Sequence, residues 1–208
     1  MPGGKRSSFA CASDLKGMVY IAGGHDHEKN TLRSALAYDV SGDIWFSLPD
    51  MATQRDECKG LFHGGKFHVM GGYQTEMQQD FDKSTEILDI DTCKWNRILN
   101  DVLETDACQK TCVYDHHGSL YKCNSAYLGC LNGSTWQRLT ELPSDVHIGT
   151  FIATCHEKMF VIGARIFGGS PNCYGVKFGK NKGVATLTKL EMPQEFIGSI
   201  DFGCNLEL

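Results

Sequence analysis

The sequence holds no apolar run longer than about five residues, far short of the roughly 20 needed for a membrane-crossing helix. Excess positive charge is missing too. Lys and Arg number 20 against 25 Asp and Glu, a formal net charge of -5, so the electrostatic footprint of a nucleic-acid binder is absent. Behind Met1-Pro2-Gly3-Gly4-Lys5-Arg6 there is no apolar core of the kind that makes a secretory signal, and the expected address is cytoplasm and/or nucleus. No C-x-x-C pair occurs among the 10 cysteines, and Cys108-x-x-x-Cys112 has no second pair at zinc spacing, so reduced packing cysteines are expected. A sustained 3.6-residue apolar period is also lacking, which excludes a helical architecture.

What the chain does have is a repeat. Residues 17–45 run through Met18, Val19, Tyr20, Ile21 and Ala22, the pair Gly23-Gly24, a polar loop, then Tyr38-Asp39-Val40, a tight turn and Trp45. The same order returns as Phe67 to Met70, Gly71-Gly72, Leu88-Asp89-Ile90 and Trp95, with a step of 48 residues from Gly23 to Gly71. That step lies close to the kelch period of roughly 50, and glycine pair, Tyr-Asp and Trp resemble a kelch repeat, one blade of a β-propeller. In this reading the glycines permit positive φ and close backbone approach. Tyr38, Trp45, Trp95 and Trp136 are the large groups filling the space between blades.

The expected fold is all-β, a partial kelch propeller over 1–208 with about four four-stranded blades at approximately 8–47, 55–97, 111–138 and 149–189. The third repeat is degraded, with Asn124-Ser125 in place of the glycine pair, and the fourth has no tryptophan. One closing C-terminal strand is expected at 199–208. Propellers usually close by pairing the last strand with the first, so a spare strand suggests a C-terminal part of a longer protein or a shortened product.

Three segments carry a closer resemblance. AGGHD-x-EKN-x-LRSA-x-x-YDV (22–40), LPDM-x-x-x-RDECK (48–59) and FH-x-GKFHV-x-GGY-x-TE (62–76) are similar to plant F-box/kelch-repeat proteins of the KISS ME DEADLY type. Glu195-Phe196, Gly203-Cys204 and Leu206-Glu207-Leu208 resemble that family's C-terminus. The resemblance implies the substrate-recognition part of an SCF ubiquitin ligase, with phenylalanine ammonia-lyase or type-B response regulators of cytokinin signalling as clients. A Skp1-like adaptor is implied only if an F-box lies upstream, since none precedes Gly17. Without it, a truncated competitor or a scaffold is the alternative.

No enzyme is expected. His25-Asp26-His27 is the most ligand-like cluster, but neighbouring residues of an extended chain point to opposite sides, so only His25 and His27 could share a metal. A solvated or client-touching loop is the simpler reading. Cys58 in Arg55-Asp56-Glu57-Cys58 has no histidine base in view. A metal-dependent kelch enzyme is a further alternative, but the iron-site string E-x-x-x-D-x-x-x-H is absent. Neither cofactor nor metal is assigned, and neither nucleic acid nor membrane is an expected partner. Partner-binding candidates are the post-glycine loops, with His25, Asp26, His27, Arg33, Tyr73, Gln74 and Glu76, together with Arg55 and Asp56 at a blade crossover. At that crossover the favoured alternative is that the charges pair with each other and with neighbouring blades. Loops on a rigid scaffold carry binding because they vary without disturbing it.

Overall fold

A computed structural model describes residues 1–14, 16–74, 81–98, 111–115, 117–124, 126–133, 135–155, 157–179 and 183–192. The chain divides into two compact units, 1–105 and 106–208. Each contains two four-stranded antiparallel sheets, and each sheet is a simple meander. Four such meanders are the blades of a kelch-type β-propeller fold. The expected strand at 199–208 lies outside the described residues.

The first sheet joins β1 (Ala10–Ser13), β2 (Met18–Ala22), β3 (Ala35–Asp39) and β4 (Ile44–Leu48). The second joins β5 (Lys59–His63), β6 (Lys66–Met70), β7 (Thr85–Asp89) and β8 (Lys94–Ile98). Their registers repeat: Val19 opposes Tyr38, which opposes Trp45, while Phe67 opposes Leu88, which opposes Trp95. The backbone repeats as well. Ser8 and Glu57 both take a positive φ, 55° and 53°, so β1 and β5 begin two residues later instead of at Ser8 or Arg55. Asp43 and Cys93 do the same in the outer hairpin turns, at 52° and 51°. Those turns are closed from the preceding strand. Asp39 Oδ1 accepts from the Ser41 and Gly42 amides, and Asp89 Oδ1 accepts from the Thr92 amide and hydroxyl. Short carboxylates favour this role because they bond their own backbone a few residues on.

The core of this unit pairs small with large. The first sheet offers Ala10, Ala22, Ala35 and Ala37 beside Tyr20, and the second fills that space with Phe67, Val69 and Leu88. Tyr20 stacks on Phe62 at 5.2 Å, and Met51 and Cys58 from the crossover complete the cluster. Of the signature tryptophans, Trp95 bridges the two sheets, its indole N–H donating to Pro49 O at 2.7 Å. Trp45 instead lies on Tyr38 of its own sheet, ring centroids 4.8 Å apart.

The second unit holds β9 (Cys112–Tyr114), β10 (Leu120–Cys123), β11 (Tyr127–Asn132) and β12 (Thr135–Glu141). After a single 3-10 turn (Ser144–Val146) come β13 (Ile148–Cys155), β14 (Lys158–Ala164), β15 (Pro171–Phe178) and β16 (Ala185–Leu190). Tyr121, Cys123, Leu128 and Leu139 meet Ile152, Met159, Val161 and Tyr174 in its core. Trp136 carries the Lys122 ammonium 4.4 Å above its ring, a cation–π contact.

Candidate partner-binding site

The expected surface belongs to the first unit, where the β2–β3 loop meets the crossover from β4 to β5. The glycine pair makes that meeting possible. Gly24 N–H donates to Arg55 O at 2.7 Å, and a Cβ on Gly23 would stand 2.4 Å from the same oxygen. With φ of 69° and 81°, both glycines also sit in a region that side chains disfavour. Gly71 and Gly72 repeat the conformation at 60° and 103°.

Past the glycines, the loop is ordered by its own polar groups. Asp26 Oδ1 accepts from the Glu28 and Asn30 amides, while Oδ2 accepts from the Asn30 side chain at 3.0 Å. The Asn30 side-chain amide is the main cause holding the Asp26 carboxyl below its ordinary range. His25 is not a solvated loop residue. It is 7% exposed, and its Nδ1 lies 2.8 Å from Asp56 Oδ1. Its Nε2 lies 2.8 Å from Lys29 Nζ, and an ammonium only donates, so Nε2 accepts and Nδ1 carries the proton given to Asp56. Both ring nitrogens are thus occupied, which withdraws His25 from metal ligation. His27 is exposed, 3.8 Å from Glu28, and Arg33 forms an exposed pair with Asp50 at 3.3 Å.

Arg55 requires a correction as a partner-binding residue. Its side chain is 0% exposed, so nothing outside the chain touches it directly. Nε and Nη2 donate to Glu86 Oε1 at 3.2 Å, Nη1 to Gly71 O at 2.7 Å, and Nη2 to Ser84 Oγ at 2.7 Å. Glu86 also accepts the Ala52 and Thr53 amides, at 2.7 and 3.1 Å. The pair therefore ties the crossover to the second sheet's glycine turn. A buried ion pair survives where its remaining lone pairs and protons are satisfied, as these are. Sequence reading missed Glu86 altogether, and missed the analogous Arg6, which donates to Gly23 O, Ser34 O and Ser34 Oγ. The signal was available: Arg6 to Arg55 and Ser34 to Ser84 are steps of 49 and 50 residues.

Asp56 is one-fifth exposed beside His25. Its backbone exchanges two 2.8 Å hydrogen bonds with Tyr73, whose ring meets Phe81 edge-on at 5.0 Å. Gln74 is half-buried, and Glu76 lies outside the described residues. Cys58 is buried, and burial pushes its thiol up to about 11, the reverse of nucleophile activation. Among the described residues no three His, Cys, Asp or Glu gather as a metal site, and no helix is long and apolar enough to cross a membrane. The arrangement that remains is a rim of mixed charge, with His27, Glu28, Lys29 and Arg33 exposed and Asp26 half-buried.

Comparison with known proteins agrees with this architecture. The kelch motif matches residues 6–52. The chain is 39% identical to F-box/kelch-repeat protein At1g15670 of Arabidopsis thaliana over 211 aligned positions, covering 100% of this chain and 58% of the relative. Against F-box/kelch-repeat protein At1g80440 of the same plant it is 44% identical, covering 78% of this chain and 46% of that one. The solved structure of YjhT superposes with a TM-score of 0.68 at 16% identity, over 95% of this chain and 68% of that one, which shows the fold. These findings support a kelch-repeat protein related to the plant F-box/kelch proteins. The chain spans less than two thirds of the length of these two curated relatives.

Proposed function

We propose that this chain is a non-catalytic, protein-binding kelch module that recognises clients for an SCF-type ubiquitin ligase. The observation carrying the proposal is the likeness to F-box/kelch-repeat proteins along the whole chain, joined to a fold that spends its charged core residues on holding loops in place. The finer reading is the KISS ME DEADLY type, with phenylalanine ammonia-lyase or a type-B response regulator as client. An F-box elsewhere in the polypeptide would supply the Skp1-like adaptor, and the work would be done in cytoplasm or nucleus.

The contact surface in this reading is the rim formed by Asp26, His27, Arg33, Asp56, Tyr73 and Gln74, with Glu76 beside them in sequence. Arg55 and His25 act from behind it, fixing the backbone that presents these groups. Pull-down of each recombinant client tests the proposal. The wild-type chain binds one of them, and His27→Ala with Arg33→Ala weakens capture about tenfold, as expected when a few contacts dominate an interface. Failure of the wild type to bind either client rejects the client assignment. Unchanged capture by the double variant moves the contact off this rim.

A further inference from the structure

Among the described residues the last strand of each sheet pairs with one neighbour only, and such edges are normally blunted by charge because unpaired N–H and C=O groups recruit other strands. Three of the four follow that rule: β8 carries Lys94, β12 carries Arg138 and Glu141, and β16 carries Lys189. The fourth, β4, reads Ile44-Trp45-Phe46-Ser47-Leu48 without a charge. Among the described residues it pairs only with β3. Ile44 and Phe46 are 50% and 47% exposed on that strand, and Val40 in the adjoining turn is 56% exposed. Leu48, in the same alternate row, packs against the core. One apolar row therefore runs from the interior out to an unguarded edge.

We infer that β4 is a strand-addition site for an extended segment of a partner protein, one with alternating apolar residues and a Lys or Arg at the end lying beside Ile44. The charge requirement comes from that end of the sheet. Asp39, opposite Ile44, and Asp43, next to it, have no ion-pair partner among the described residues. In the second sheet the counterpart of Asp39, Asp89, is already neutralised by Lys66 at 3.1 Å, whereas Met18 stands opposite Asp39. Backbone pairing supplies affinity in such an addition, and alternate side chains supply selectivity. A second copy of β4 fits less well. Laid antiparallel about Phe46, it would bring Asp43 toward Pro49 and Asp50 of its mate, a residue without a donor and a like charge.

This deepens the protein-binding reading and rests on it. The test is hydrogen exchange of the β4 amides with phenylalanine ammonia-lyase, a type-B response regulator, or a short synthetic peptide of alternating valine and threonine with a lysine at one end. The expected result is slowed exchange at residues 44–48 with a client or the peptide. Ile44→Lys with Phe46→Lys should weaken binding about tenfold or more. Ile44→Thr with Phe46→Thr, which adds no charge, checks that the loss is not unfolding and should give a smaller drop. A client that binds while β4 exchanges freely and the lysine variant binds normally overturns the inference and leaves the proposed function standing. If neither client binds, the client assignment fails and the peptide decides the inference: slowed β4 exchange supports it and no effect overturns it. A concentration-dependent dimer abolished by the lysine variant makes the occupant a second copy and overturns the partner assigned here.

Discussion

The two sheets of the first unit hold the same arginine in the same place, and treat it differently. Arg6 and Arg55 each donate to the carbonyl of the first glycine in a pair, Gly23 or Gly71, and to the serine that follows the loop, Ser34 or Ser84. Around Arg55 an acid closes the network: Glu86 takes Nε and Nη2, and Asp82 stands 3.7 Å from Nη2. Glu86's counterpart in the first sheet is Leu36. The correspondence follows from register, Glu86 opposing Val69 where Leu36 opposes Ile21. Arg6 Nε is accordingly buried without a hydrogen-bond partner, and the desolvation that lowers the Arg6 pKa has no neighbouring carboxylate to offset it. A half-buried guanidinium tolerates one open donor. A fully enclosed one does not, because an unpaired buried charge costs several kcal/mol.

The sharpest way to break the comparison is therefore Glu86→Ala. It takes from Arg55 its nearer carboxylate and the acceptor of Nε, leaves two crossover amides unpaired in the interior, and should cost about 3–5 kcal/mol by urea denaturation. The matched change at Leu36, Leu36→Ala, removes only apolar volume and should cost about 2–3 kcal/mol. Equal losses at the two positions would mean that the acid is not what distinguishes the sheets. Gly23→Ala comes next. Its Cβ would meet the Arg55 carbonyl, a backbone atom that cannot swing aside, at a φ of 69°. A loss of about 2–3 kcal/mol is expected, from strain at positive φ plus displacement of the crossover.

Much of this pair of sheets was legible in the sequence. The glycine pairs recur after 48 residues, and the apolar residue before Asp in the outer turn and the tryptophans recur after 50. The glycines and aspartates do the same backbone job in consecutive sheets, whereas Trp45 packs on its own sheet and Trp95 reaches the crossover. β2 lies where the apolar run from Met18 to Ala22 puts it, and β6 begins one residue before the run from Phe67 to Met70. The arginines were harder to read. An Arg followed by Asp and Glu reads as a partner-facing or locally paired cluster, and only the distant Glu86 makes Arg55 a core residue. Glu86 was itself concealed in a strand pattern, where an acid ordinarily marks the wet face. His25 misled for the same reason. Loop position argues for exposure, and the Asp56 that covers it lies 31 residues away. The degraded third repeat was readable as strands, but nothing in its spacing announced a buried lysine beneath Trp136.

Tyr20 and His68 extend the comparison to pH. They occupy the same register position, Tyr20 opposite Ala37 and His68 opposite Ile87. Burial is the main cause lowering His68 to about 4, with His63 and Lys66 adding repulsion. Between pH about 4 and 6.5 the unfolded chain binds this proton and the folded one does not, so stability falls as pH drops through that window. Above 6.5 the residue contributes no slope. After discounting for solvent screening, the loss should reach about 1–2 kcal/mol at pH 4. His68→Tyr, which copies the first sheet, should flatten that part of the stability–pH curve. A slope that persists in the variant would assign it to another group.

The smallest effect is also the most direct sharpening. Leu36→Glu places the second sheet's acid beside Arg6 and offers its open Nε a partner. Against that gain stand the loss of a buried leucine and the desolvation of a new carboxylate, while Gly3 and Gly4, which stand 49 residues before Ala52 and Thr53, are exposed. Ala52 and Thr53 supply Glu86 with two of its hydrogen bonds, and the residues preceding Arg6 are exposed. The balance should fall within about 1 kcal/mol of zero. If Leu36→Glu instead destabilises the unit as strongly as Glu86→Ala, Arg6 is not a working counterpart of Arg55. The two arginines would then share an address in the repeat without sharing a physical role.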